Sequence, residues 1–216
     1  MPPGRDGREW DFHQDADLSI AKYFHKLGAL IPQLPFSAIS QIVSIFLEAV
    51  DEQRTVFIFG NGGSAASASH MMCDMNKGAS GIGTNRRPKV MALTDNVSLI
   101  SAWANDFGYE RVFSEQLKTF LKPRDVAFAI STSGESPNVL LALETAREYG
   151  ALTVGVAGCQ GGQMKNLCDV CAVVPSDNVQ VVEDLHHAML HSIFTAVREG
   201  LLAGTAKSPL ARAASF

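Results

Sequence analysis

No stretch of this 216-residue chain stays apolar for long enough to cross a bilayer, and the opening MPPGRDGREWDFHQD lacks the apolar core of a secretion signal. A cytoplasmic protein with no membrane role is expected. Charge of one sign is lacking as well: a formal net charge of −4 offers no basic footprint, so no nucleic-acid partner is expected. Cysteine is scarce. Of the four, Cys168 and Cys171 form the one C-x-x-C, and no second ligand pair stands at a spacing that would complete a structural zinc site. Buried thiols are the expectation.

Lysine is missing where a nucleotide enzyme would need it. Two apolar runs, Val56–Phe59 and Val126–Ile130, each lead into a loop of small and hydroxyl-bearing residues that opens a helix: GNGGSA from Gly60 and STSGESP from Ser131. Neither loop carries the lysine of G-x-x-x-x-G-K-[ST], which argues against a nucleoside-triphosphate loop. Gly60, Gly62 and Ala65 do satisfy G-x-G-x-x-[GA]. The ribose-binding acid expected about 20 residues on, however, has only Asp74 and the more distant Asp95 as candidates.

What the loops do contain suits a phosphorylated small molecule. A helix start presents unpaired N–H groups and the positive end of the dipole, and Gly62 and Gly63 let a ligand approach without a Cβ in the way. The second loop adds hydroxyls on Ser131, Thr132, Ser133 and Ser136, each able to donate to a phosphate oxygen.

Around these loops the hydrophobic period is informative. After about sixteen residues read as a flexible N-terminus (1–16), Leu18, Ile20, Ala21, Phe24, Leu27 and Ile31 recur at helical spacing, as do Ile39, Ile42, Val43, Ile45, Phe46 and Val50. Short, nearly all-apolar segments follow at 55–59, 89–93, 125–130, 152–157 and 170–174, the pattern of parallel strands buried on both faces. Helical segments at 64–77, 97–104, 109–121, 136–149, 161–167 and 179–202 separate or follow them. The expectation is α/β: a doubly wound five-stranded parallel sheet with two extra N-terminal helices, in one domain over 17–202, and a loose tail over 203–216. Helix 36–53 carries more apolar surface than one buried face needs, which points to packing against another subunit.

Ionisable groups cluster in two places. His70 and Asp74 are four apart on the helix that starts at GNGGS, so they share a face. In VVEDLHHAMLHSIF, Glu183, His187 and His191 stand at successive steps of four, with Asp184 and His186 beside them and apolar residues all round. Buried imidazoles and carboxylates need partners, which a metal ion or sugar hydroxyls would supply.

In FGNGGSAASASH, LTDNVSLISAWANDFGYERVFSEQL, AISTSGESPNVLLAL and VEDLHHAMLH, in that order and spacing, residues 17–199 resemble the SIS-domain sugar-phosphate binders, and among them the phosphoheptose isomerases. The resemblance implies a homotetramer with active sites at subunit interfaces. It implies phosphate held by Ser131, Thr132, Ser133 and Ser136, and sugar hydroxyls met by Asn61, Ser64 and Asp95 beside Gly62 and Gly63. It implies Zn²⁺, or another divalent ion, on His70, Asp74, Glu183 and His191, with an acid/base pair drawn from Asp74, Glu183 and His191. Two residues depart from the family pattern: Asp74 replaces a glutamate and Glu183 a glutamine. The activity implied is aldose–ketose isomerisation of a seven-carbon sugar phosphate. A non-catalytic SIS protein that binds a regulatory partner, or an isomerase of another sugar phosphate, would share the loops.

Overall fold

The computed structural model describes residues 14–79 and 86–206. Two helices, α1 (Gln14–Leu30) and α2 (Phe36–Asp51), precede five strands: β1 (Thr55–Gly60), β2 (Lys89–Ala92), β3 (Val126–Ser131), β4 (Leu152–Gly158) and β5 (Val170–Val174). Between the strands lie α3 (Gly62–Cys73), α4 (Val97–Phe107), α5 (Ser114–Phe120), α6 (Pro137–Glu148) and α7 (Met164–Leu167), and α8 (Val179–Ala206) follows the last. All pairings are parallel, in the order β2-β1-β3-β4-β5. The sheet is therefore the doubly wound α/β arrangement that the short apolar strands implied.

The strands are apolar throughout because both faces are covered. Val56, Ile58, Phe128 and Val154 pack with α2, α3 and α8 residues on one side, whereas Phe57, Phe59, Ala127 and Ala129 pack with α5, α6 and α7 residues on the other. Strand order reverses between β1 and β3. From β1 the chain winds through α3 to β2, and from β3 it winds the opposite way through α6 to β4. A crevice opens at such a reversal, outside the carboxyl ends of the two strands. Both hydroxyl-rich loops start there.

Several boundaries differ from the sequence expectation. Helix α1 begins at Gln14, inside the segment read as flexible; residues 1–13 lie outside the described residues. The helix expected over 109–121 is broken into a 3-10 turn, Tyr109–Arg111, and α5, because Val112 and Phe113 turn into the core at the junction. At the C-terminus α8 continues to Ala206, an established helix needing little to add a turn, and the rest of the expected tail lies outside the described residues. No single described helix is long and apolar enough to cross a bilayer.

The apolar surplus of the N-terminal helices is divided unevenly. Helix α2 turns Ile39, Ile42, Phe46, Ala49 and Val50 into the core and packs Val43, Ile45 and Leu47 against it. On α1, by contrast, Ile20 and Phe24 are exposed, with Ile31 just beyond them on the same stripe.

Candidate active site

The two loops meet through a pair of amides. Asn61 Nδ2 donates to Asn138 Oδ1 and Asn138 Nδ2 donates to Asn61 Oδ1, both at 2.8 Å. The Tyr109 hydroxyl adds a bond to Asn61 Oδ1 at 3.1 Å. These residues, with Glu110, Ser136 and Pro137, line a cavity of about 360 Å³ at the crevice. Asn138 is buried, and neither it nor Tyr109 stands out in the sequence: a lone Asn after Pro137 reads as helix, and its partner is 77 residues away.

The second loop is shaped by its own backbone. Gly134 has φ 67°, and a Cβ there would lie 2.2 Å from the Gly161 carbonyl oxygen, so only glycine lets this loop touch the one that follows β4. Ser131 Oγ accepts from Gly134 N and Ser133 Oγ accepts from Glu135 N, each at 3.1 Å. Both hydroxyl hydrogens stay available as donors. Glu135 reaches across to Gln163, taking bonds from its backbone and side-chain nitrogens at 2.9 and 2.8 Å. Ser136 occupies the N-cap of α6, its carbonyl accepting from Val139 N and Leu140 N while its hydroxyl makes no capping bond, and Pro137 opens that helix. Thr132 is half-buried and Ser133 exposed.

Along α3 the expected residues separate. Ser64 is buried beneath the first loop. Asp95 lies on the flank, where its carboxylate accepts from Ser69 Oγ, and lines an open groove of about 670 Å³ with Met72, Met91 and Leu99. Two turns along α3, His70 Nε2 stands 3.3 Å from Asp74 Oδ2. At Asp74 the helix loosens into a π turn, closed by Ala79 N donating to the Asp74 carbonyl oxygen at 3.1 Å. Such widened turns are common at functional sites.

Helix α8 supplies the other half. It packs against both α3 and α1, and its polar residues sort by direction. Asp184 accepts a 2.6 Å bond from Tyr23 of α1, which pushes the Tyr23 hydroxyl up to about 12. His186 points into the protein and is 1% exposed. Among the described residues its ring nitrogens meet no hydrogen-bond partner of normal geometry, and burial pushes it down to about 4, a shift the Ala157 backbone offsets only in part.

His187 and His191 face α3. His191 Nε2 lies 3.2 Å from His70 Nε2 and 3.6 Å from Asp74 Oδ2. His187 completes a group of three imidazoles whose ligand atoms all lie within 4.8 Å of one another. Burial, then the neighbouring His191 and His70 rings, hold His187 below its ordinary value. Glu183 is not in this group. Its carboxylate lies at the start of α3, with Oε1 2.9 Å from where a Cβ on Gly63 would be. Thus His70, Asp74 and His191 come together, whereas Glu183 belongs to the GNGGS loop.

This donor set fits a divalent ion. A tetrahedral Zn²⁺ with bonds of about 2.0–2.1 Å to nitrogen and oxygen separates its ligand atoms by about 3.3–3.4 Å. The three distances among His70 Nε2, Asp74 Oδ2 and His191 Nε2 are 3.2, 3.3 and 3.6 Å. The cysteines stand apart from this chemistry. Cys73 and Cys159 are exposed, against the expectation of buried thiols, while Cys168 and Cys171 are half-buried. A mutual hydrogen bond raises the Cys168 thiol and lowers that of Cys171.

The comparisons with known proteins agree with the geometry. Residues 22–158 match the family model described as SIS domain. The phosphoheptose isomerase of Rhodospirillum rubrum is 36% identical over 85% of this chain and 94% of its own length. Phosphoheptose isomerase 1 of Campylobacter jejuni is 38% identical over 74% of this chain and 86% of its own. Among solved structures, a phosphoheptose isomerase from Francisella tularensis superposes with a TM-score of 0.79 at 26% identity, covering 85% of this chain and 98% of that one. The chain belongs to the SIS-domain family and, within it, to the phosphoheptose isomerases.

Proposed function

We propose that this protein is an aldose–ketose isomerase that converts sedoheptulose 7-phosphate to D-glycero-D-manno-heptose 7-phosphate, for synthesis of nucleotide-activated heptose. One observation carries the reading. A hydroxyl-rich loop opens at the carboxyl edge of the sheet, a carboxylate beside two imidazoles stands farther along the helix that the neighbouring loop starts, and Asn61–Asn138 ties the two loops together.

In this reading the phosphate sits over the start of α6, taking bonds from Ser131, Thr132, Ser133 and Ser136, while Asn61, Ser64, Asp95 and the Gly62–Gly63 backbone serve the sugar. The Asp74 carboxylate removes a proton from C1 of the ketose. The electron pair of the broken C1–H bond forms the C1–C2 double bond of the enediol as the C2 oxygen takes a proton from His191. Return of a proton to C2, with loss of the O1 proton to His191, leaves the aldose. Each transfer needs hydrogen-bond distance of about 3 Å, which the shorter Asp74 reaches from a loosened helical turn. Glu183, at the α3 start, is the second carboxylate available to the sugar.

Zn²⁺, or a similar divalent ion, suits His70, Asp74 and His191; when bound, it supplies Lewis-acid stabilisation of charge developing on the sugar oxygens. A homotetramer with interface-built sites goes with the reading, supported by the exposed Ile20, Phe24 and Ile31 stripe. A cytoplasmic location goes with it too, since sugar phosphates are made and consumed there.

The test is incubation of purified protein with sedoheptulose 7-phosphate, with chelator and with added zinc, followed by product identification. The aldose should appear, and Asp74→Asn should slow its formation by about 10²- to 10⁴-fold, the usual contribution of a positioned acid or base. Binding without turnover of any ketose phosphate would move the assignment to a sugar-phosphate-binding regulator.

A further inference from the structure

Building on the isomerase reading, we propose that the fourth protein ligand of the divalent ion is His187, and that Glu183 is free of the ion and faces the sugar. The ion site would then be His70, Asp74, His187 and His191, three imidazoles and one carboxylate.

Three observations lead there. First, three edges of a tetrahedron are already present among His70, Asp74 and His191, at 3.2, 3.3 and 3.6 Å. Second, the vertex still open is flanked by His187, one helical turn before His191 and on the same face of α8. Its ring centroid lies 4.8 Å from that of His70 and 4.6 Å from that of His191, both edge-on. From within 4.8 Å of the other two imidazole ligand atoms, its own must approach by about an ångström to reach the spacing of a tetrahedral ion, a ring rotation that a half-buried side chain can make.

Third, Glu183 is held elsewhere. It precedes His191 by eight residues, about 12 Å of helical rise, and its carboxylate rests against Gly63. There the unpaired N–H groups and dipole of α3 favour an anion. Gly63 itself precedes His70 by seven residues, about 10 Å along α3. Drawing Glu183 to the ion would give up that placement; leaving it keeps a carboxylate beside Asn61, where sugar hydroxyls are expected. The charge differs as well. A divalent ion among three neutral imidazoles and one carboxylate is net +1, whereas two imidazoles and two carboxylates would leave it neutral.

The experiment compares wild type, His187→Ala, His187→Gln and Glu183→Gln. Chelator competition gives Zn²⁺ affinity, and the visible spectrum of the Co²⁺-loaded proteins reports the ligand set independently of turnover. Both His187 variants should change the Co²⁺ bands and lose at least about tenfold in affinity, since even an outer-shell partner of a ligand costs about 10- to 100-fold when removed. Glu183→Gln should stay within about threefold of wild type with unchanged bands. Two His187 replacements, checked by circular dichroism and gel filtration, keep a folding defect from imitating ligand loss. Affinity lost in Glu183→Gln but kept in either folded His187 variant overturns the proposal, as does a wild type that takes up neither ion. Isomerase assays on the same preparations keep the two readings apart. Metal uptake with the expected pattern but no turnover would sink the isomerase reading alone, and turnover without metal uptake would sink the ligand set alone.

Discussion

Replacing Asn138 tests whether the two loops are held as one site. The residue is 2% exposed, and its amide exchanges two 2.8 Å bonds with that of Asn61. Asn138→Leu keeps a branched side chain but removes both bonds, leaving Asn61 Nδ2 without its protein partner while Tyr109 still donates to Oδ1. Two neutral hydrogen bonds at about 1 kcal/mol each, plus a donor left partly desolvated, predict a loss of about 2–3 kcal/mol. Tyr109→Phe removes one longer bond at an exposed hydroxyl and should cost under about 1 kcal/mol. Urea unfolding measures both. Calorimetric titration with the sugar phosphate should show Asn138→Leu weakening binding as Asn61→Ala does, although Asn138 is the more deeply buried of the pair. A double-mutant cycle over the two asparagines should return a coupling of about 1–2 kcal/mol, within the range for residues in direct contact. An unchanged urea midpoint would show that the amide pair adds nothing to the fold. Lost binding in Asn61→Ala with full binding in Asn138→Leu would show that Asn138 does not position Asn61.

Three further outcomes are expected. Ser133→Ala should weaken sugar-phosphate binding by about 1–3 kcal/mol, the range for a hydrogen bond to a charged group, with little change in melting temperature; equal affinity by calorimetry would remove Ser133 from the phosphate site. His186 is pushed down to about 4 from an ordinary 6.5, so between those values the unfolded chain binds more protons and stability falls as pH falls. The full shift corresponds to about 3 kcal/mol, fully present above pH 6.5 and lost by pH 4, and His186→Gln should flatten the urea-midpoint profile in that window; an unchanged slope would refute it. Phe24 is 66% exposed on the α1 stripe, and Phe24→Asp should shift light-scattering mass from tetramer toward smaller species, whereas a wild-type monomer at micromolar concentration would refute the assembly.

The sheet was legible because strands covered on both faces leave a clear record: β5 spans the residues expected, β1, β2 and β4 differ by one residue at one end, and β3 by one residue at each end. The loops were legible for a related reason, since glycines and hydroxyls between strand and helix have few other uses. The junction at Val112 and Phe113 was not, because an apolar residue that turns into the core and one that continues a helical face look alike along the chain. The Asn61–Asn138 pair was invisible for another cause, as nothing local marks an asparagine whose partner is 77 positions away.

The polar segment of α8 shows where spacing stops being informative. Steps of four place Glu183, His187 and His191 on one stripe, which is correct, yet a stripe two turns long passes two different parts of α3. Its first member meets the α3 start at Gly63, and its last meets His70 and Asp74. Asp184 and His186, next in sequence to Glu183 and His187, end at α1 and in the interior respectively. Helical period fixes direction around the axis. What lies opposite each turn is decided by how α8 lies along α3, and that follows from the burial of Val181, Val182, Leu185, Met189 and Leu190 between the sheet and its helices. The apolar residues of this segment therefore set the register that separates the Glu183 carboxylate at the GNGGS loop from the imidazoles beside Asp74.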